Sequence, residues 1–325
     1  MSPSDVPPGA ADVTHVAILG GGLIGRSWTA LFLAAGKSVA VHDPAPDAEA
    51  RVRASVAEAW PVLRELGLTG ASEPAGELVM CGDAREAVAG AQFVQESIPE
   101  RVELKHQLYR HVEDALDPDA VVATSASGLT LSELQAGWRD PAPFVLGHPF
   151  NPPHLIPLVE VMGNHRTGVG VVDRARAVYE SAGKVTIELK REVPGHVANR
   201  LQAALWREAI HLAVEGVASV EDIDTAVSSG PGQRWAAMGP TRLFDLGADD
   251  GLAGFCDRYA ASFNRWWDDL GQPHLDTTTI SRIVDGIHDA NGTTTHADLA
   301  ARRDALVAAV VAATHRARVA ADPAG

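Results

Sequence analysis

HVAILGGGLIG, residues 15–25, is a short apolar run that ends in glycines and passes at once into LIGRSWTALFLAA, which has helical composition. An apolar run that closes on a glycine turn reads as a buried parallel strand, and Gly36 supplies a stop for the helix after it. Gly20, Gly22 and Gly25 fall at GxGxxG spacing across the turn. The first glycine permits the tight bend, the second lets backbone approach a pyrophosphate, and the third lets helix and strand pack closely. The helix start offers N–H groups and the positive end of its dipole to phosphates.

Working outward, SVAVH (Ser38 to His42) is a second strand that closes on Asp43. A carboxylate there hydrogen-bonds an adenosine ribose and repels a 2′-phosphate, which favours NAD over NADP. No Arg or Lys follows Asp43 until Arg51. Gly20, Gly22, Leu23, Ile24, Gly25 and Asp43 are therefore the expected cofactor-binding residues. A helical stretch from Ala45 to Leu68 and strands at Gln92 to Gln95, Val121 to Thr124, Phe144 to Leu146, Ile156 to Val161 and Val185 to Leu189 follow. Strands alternating with helices predict a Rossmann-type, doubly wound, mostly parallel α/β sheet.

After Val193-Pro194-Gly195 the texture changes. Leu201, Leu205, Ala209 and Leu212 form an apolar stripe at helical spacing, and Ser219 with Asp222 reads as a capping box. Further helices are expected at Gly251 to Leu270, Thr278 to Ala290 and Ala297 to Val319. The expected organisation is a disordered tail over 1–13, a nucleotide-binding domain over 14–192 and an all-α domain over 193–325, with the boundary near Glu192.

Composition limits the functions to consider. The chain has 27 basic against 42 acidic residues, a formal charge of −15, which disfavours nucleic acid and anionic membrane partners. No apolar stretch approaches the roughly 20 residues that span a bilayer. The N-terminus has neither the basic start nor the apolar core of a signal peptide. Cys81 and Cys256 stand far apart and outside any CxxC pattern, which fits a reducing cytoplasm. The 13 histidines show no ligand spacing with Cys or acid partners, so no metal is implied.

A second decisive stretch is GHPFNPPHLIPLVEV, from Gly147 to Val161. It sets His148 twelve positions ahead of Glu160, with Asn151 between them. Oxidising a secondary alcohol needs a base for the hydroxyl proton while a hydride leaves. Imidazole, with an ordinary pKa of about 6.5, suits that role. A carboxylate on the other ring nitrogen fixes the tautomer and raises basicity.

Taken with QESIPERVELK, TSASGL, PGHVANRL and GPGQRWAAMGP, these stretches resemble the L-3-hydroxyacyl-CoA dehydrogenase superfamily from about Thr14 to at least Leu270. RWAAMGP, and Ser125 where the fatty-acid enzymes usually carry Asn, resemble the branch of L-gulonate 3-dehydrogenase (lambda-crystallin) and L-carnitine dehydrogenase. The resemblance implies that Ser127 hydrogen-bonds the reacting oxygen, that Asn199 lies near the substrate, and that Glu100 and Lys105 contact the cofactor's ribose. Asn151 either holds its turn or contacts substrate. The family's PGF segment is PGH here, and His196 either touches substrate or faces solvent, the latter favoured. It also implies a homodimer built through the helical domain.

Only Arg51, Arg53 and Arg64, and no Lys, lie between Ala45 and Gly76, where the fatty-acid enzymes receive CoA. A small free acid is therefore expected, an L-gulonate-like sugar acid first. Arg234 suits a substrate carboxylate. L-carnitine is the runner-up, because Trp206, Trp235, Trp266 and Trp267 could face its quaternary ammonium. A CoA thioester comes next. A retired, crystallin-like structural protein is the alternative from another class. The retention of His148, Glu160 and Ser127 speaks against it.

Overall fold

A computed structural model describes residues 13–321. Eight strands form one sheet: β1 (His15–Leu19), β2 (Ser38–His42), β3 (Leu78–Met80), β4 (Phe93–Glu96), β5 (Val121–Thr124), β6 (Phe144–Pro149), β7 (Leu158–Met162) and β8 (Val185–Glu188). Their order is β3-β2-β1-β4-β5-β6-β7-β8. Every pairing is parallel except β6 with β7, which run antiparallel. The Rossmann-type sheet expected from the sequence is present.

Helices α1 (Leu23–Ala34), α2 (Ala48–Glu65), α3 (Ala84–Val88), α4 (Val102–Val112), α5 (Leu131–Gln135) and α6 (Val171–Ser181) connect the strands. Side chains alternate across β1, so Val16 and Ile18 enter one core while Ala17 and Leu19 enter the other. The first core gathers α1, α2 and α6 around Trp28, Phe32, Phe93 and Tyr179. The second gathers α3, α4 and α5 around Tyr109, Trp138 and Phe144. Burying a side chain such as Phe32 contributes roughly 1.5–3 kcal/mol, so these two layers fix the sheet that positions the site.

The chain divides into two compact units. The second, Ala198–Leu306, holds α7 (Ala198–Val214), α8 (Val220–Ser229), α9 (Pro231–Ala237), α10 (Pro240–Asp245), α11 (Gly251–Asp269), α12 (Thr277–Asn291) and the start of α13 (His296–Ala321). No strand occurs among its residues. The Asp222 N–H donates to the Ser219 hydroxyl at 3.0 Å, capping α8. The stripe expected on α7 is not buried within this unit. Leu201 is 63% exposed, while Ile210 is the buried residue.

The change of unit falls a few residues beyond Glu192, near which the boundary is expected. The first unit runs through Val197, whose N–H donates to the Glu160 carboxylate at 2.9 Å. It also takes back the C-terminal segment from Val307, because Ala308 and Ala312 pack on Leu66 and Leu155. The expected tail over 1–13 lies outside the described residues except at Val13. That residue is buried, and its carbonyl accepts from Lys37 Nζ at 2.7 Å.

Candidate active site

The glycine turn follows β1. Gly20 has φ 99°, a left-handed conformation that glycine tolerates, and a Cβ there would stand 2.8 Å from the backbone of Ser97. A Cβ on Gly25 would meet the Gly20 carbonyl at 1.7 Å, so helix and turn are in contact as the motif requires. At Gly22 a Cβ would enter open space, the room an approaching pyrophosphate needs. Gly22 caps α1, Leu23 and Ile24 open it, and its first turn carries no acidic side chain. The Asp43 carboxylate is fixed at the end of β2 by N–H groups of Gly21 (2.8 Å) and Ala45 (2.9 Å). These residues fit a dinucleotide.

The β6–β7 register places His148 and Glu160 directly opposite each other. Opposed residues in an antiparallel pair share a face, which brings the imidazole Nδ1 to 2.8 Å from Glu160 Oε2. Glu160 is fully buried and His148 is 5% exposed. A carboxylate only accepts, so Nδ1 carries the proton and Nε2 presents a lone pair. A histidine held this way can take a proton at Nε2.

Ser127 lies beyond the end of β5, where Glu100 shapes the loop. The Glu100 carboxylate accepts the N–H groups of Ser127, Gly128 and Leu129 and the Ser127 hydroxyl, the last at 2.8 Å. Partial burial pushes the Glu100 pKa up, but these hydrogen bonds outweigh it and hold the group below the usual carboxylate range. Glu100 thus supports Ser127 in the first instance.

Lys105 departs from its expected place facing the cofactor. It is 1% exposed, and its ammonium pairs with Glu96 Oε1 at 2.5 Å. Tyr109 and Thr124 hydroxyls donate to Glu96 Oε2, each at 2.8 Å. Burial first, and the Glu96 charge second, push the Tyr109 pKa well up, so it stays a donor. The sequence carried a signal for this: Lys105, Tyr109 and Val112 are the buried face of α4 at helical spacing.

His196, favoured as solvent-facing, is instead 3% exposed, with its ring 5.0 Å from that of His148. Its φ is 52°, a conformation in which histidine is enriched among non-glycine residues. Nε2 lies 3.3 Å from the Ala126 carbonyl, while buried Nδ1 has no hydrogen-bond partner. Burial is the main cause that lowers its pKa, and the neighbouring His148 adds to it.

Sequence reasoning also missed a buried polar chain beneath the site. The Tyr179 hydroxyl donates to Gln95 Oε1 at 2.6 Å, and Gln95 Nε2 donates to Ser125 Oγ at 2.8 Å. Ser125, read from the sequence only as a branch marker, also meets Ser97 Oγ and Trp28 Nε1. Asn151 is exposed in the loop between β6 and β7. Asn199 opens α7, and Arg234 and Trp235 are exposed on α9; all three belong to the second unit. No group of three or more His, Cys, Asp or Glu placed to hold a metal occurs among the described residues.

A Rossmann sheet with a glycine turn, a carboxylate at the end of the second strand and a buried histidine–carboxylate pair defines a dinucleotide-dependent oxidoreductase. Residues 15–193 match the family described as 3-hydroxyacyl-CoA dehydrogenase, NAD binding domain, and residues 195–279 its C-terminal domain. The chain belongs to the 3-hydroxyacyl-CoA dehydrogenase family and is an NAD-dependent dehydrogenase acting on a CH–OH group. It is 46% identical over 312 residues to L-carnitine dehydrogenase of Streptomyces griseus, covering 95% of this chain and 92% of that one. The L-carnitine dehydrogenase of Pseudomonas aeruginosa is 41% identical, covering 93% and 94%. Among solved structures, FHMPC 5-dehydrogenase, an NAD+-dependent dismutase, superimposes with a TM-score of 0.79 at 30% identity, covering 92% of this chain and 97% of that one.

Proposed function

We propose that this chain oxidises the 3-hydroxyl of L-carnitine to the 3-keto acid. The sequence reading set a gulonate-like acid first and carnitine second. The observation that reverses the order is the 46% identity, over 95% of the chain, to an L-carnitine dehydrogenase. In the second unit, the Arg234 guanidinium suits a carboxylate, and the exposed faces of Trp206 and Trp235 suit a quaternary ammonium.

In this reading Gly20 to Gly25 and Asp43 hold NAD, which when bound supplies the hydride acceptor. His148 Nε2 takes the hydroxyl proton, and Glu160 holds Nδ1–H and stabilises the imidazolium that forms. Ser127, on turning its one hydroxyl proton away from Glu100, donates to the reacting oxygen. Glu100 keeps the Ser127 loop in place. Asn199 contacts the substrate. Two free cysteines fit a reducing cytoplasm, and the exposed apolar residues of α7 and α11 fit a homodimer.

The test is initial-rate NADH formation with L-carnitine, L-gulonate and L-3-hydroxybutyryl-CoA, with NADP in parallel. Turnover of L-carnitine with NAD is expected, lost in His148→Gln while NAD binding survives. Preference for gulonate or the CoA thioester would overturn the substrate, and equal loss of turnover and NAD binding would make His148 structural.

A further inference from the structure

Lys184 has no part in that chemistry, yet its setting is unusual. It precedes β8, is 6% exposed, and its ammonium has no carboxylate partner among the described residues. It donates instead to the carbonyl oxygens of Pro153 and Ile156, the latter at 2.6 Å, and lies 5.2 Å from the centroid of the Trp28 ring. A buried ammonium without an opposite charge is costly, and burial draws its pKa down to about 7. The cavity alongside adds two titratable groups, His154 and His315, and no carboxylate among the described residues.

Both carbonyls belong to the loop that joins β6 to β7, the strands of His148 and Glu160. That loop is also tied to α1, because the His154 N–H donates to the Ser27 hydroxyl at 2.9 Å. Trp28, on the same helix, donates to Ser125 at 3.3 Å. Helix α1 starts at the glycine turn of the cofactor site. Lys184 therefore stands where the loop of the histidine–carboxylate pair meets the cofactor helix.

We propose that Lys184 is a positioning residue: its two hydrogen bonds seat the Pro153–Ile156 turn against Trp28 and so fix His148 with respect to the cofactor helix. The inference rests on His148 being the base. An apolar side chain would fill the space but leave two inward carbonyls without a donor. An ammonium and a neutral amine both carry enough N–H groups for two carbonyls, so the seating holds in either protonation state.

The experiment compares the full chain with Lys184→Met, which has no donor, and Lys184→Gln, which keeps two donors without the charge. For the Met variant kcat for L-carnitine should fall between about tenfold and a hundredfold, the scale of a misplaced reacting group. The dissociation constant for NAD should stay within about twofold, since the glycine turn is untouched. The Gln variant should recover a measurable part of kcat. The Nδ1–H proton resonance of His148 should shift in Lys184→Met and return in Lys184→Gln, a readout that needs no substrate. Absence of L-carnitine turnover in the wild type would count against the proposed function, and the resonance would still decide on Lys184. An unmoved resonance, kcat unchanged with only a lowered melting temperature, or failure of both variants to fold would assign Lys184 to stability alone and overturn the inference.

Discussion

Replacing Glu160 by glutamine tests the site at its centre. The carboxylate has two acceptor oxygens in use: Oε2 takes the His148 Nδ1 proton at 2.8 Å and Oε1 takes the Val197 N–H at 2.9 Å. An amide of the same shape has one acceptor and one donor. If its oxygen faces Val197, its NH2 faces Nδ1, which must then give up its proton. The proton moves to Nε2, the nitrogen that has to stay bare to act as a base. If its oxygen faces His148, two buried donors confront each other at Val197, at about 1–3 kcal/mol of stability. A histidine held in the wrong tautomer costs up to about 10⁴ in kcat in a serine protease, or about 5.5 kcal/mol of barrier. For Glu160→Gln we expect kcat to fall by about 10² to 10⁴. NAD affinity should be unchanged. Steady-state NADH formation and NAD titration by intrinsic fluorescence measure the two quantities. A kcat within about threefold of wild type in a correctly folded variant would refute the orienting role.

Three further outcomes follow from other parts of the molecule. Gly20→Ala puts a Cβ 2.8 Å from the Ser97 backbone at φ 99°, and strain of about 1–3 kcal/mol there should weaken NAD binding about tenfold or more; calorimetric affinity equal to wild type would contradict this. Asp43→Asn removes the charge that repels a 2′-phosphate, so the NADP-to-NAD ratio of kcat/KM should rise about tenfold, even though loss of one acceptor at Gly21 or Ala45 lowers both values. Lys184, with a folded pKa of about 7, binds fewer protons than the unfolded chain up to the ordinary lysine value of about 10.4. Its burial therefore costs most at low pH, and stability rises with pH between those values. Urea unfolding at several pH values in this window should show wild type gaining on Lys184→Met by about 1.4 kcal/mol per pH unit; parallel curves would exclude it.

Much of the fold was legible because strong signals agreed. β1, β2 and β5 run where the apolar stretches place them, and the glycine turn sits between β1 and α1. Strand β3, Leu78–Met80, was missed because so short a run is only partly buried and shows no period. The His148–Glu160 pair could be anticipated from chemistry and family likeness, but only the antiparallel register shows how they meet. Lys105 and Lys184 were opaque for a shared reason. A lysine's charge argues for solvent, and its burial depends on acceptors distant in sequence. His196 was misjudged likewise, since nothing nearby in sequence shows that Ala126 and His148 enclose it.

The last helix has a consequence for anyone who cuts or tags this chain. Ala308 and Ala312 lie against Leu155, inside the loop that joins the strands of His148 and Glu160. The C-terminal segment is thus a buttress for the β6–β7 loop, although in sequence the whole second unit lies between them. Expressing residues 1–192 alone would leave Leu66 and Leu155 bare. A self-sufficient nucleotide-binding half would have to be spliced from two pieces, with the end of the chain grafted back onto the loop it braces.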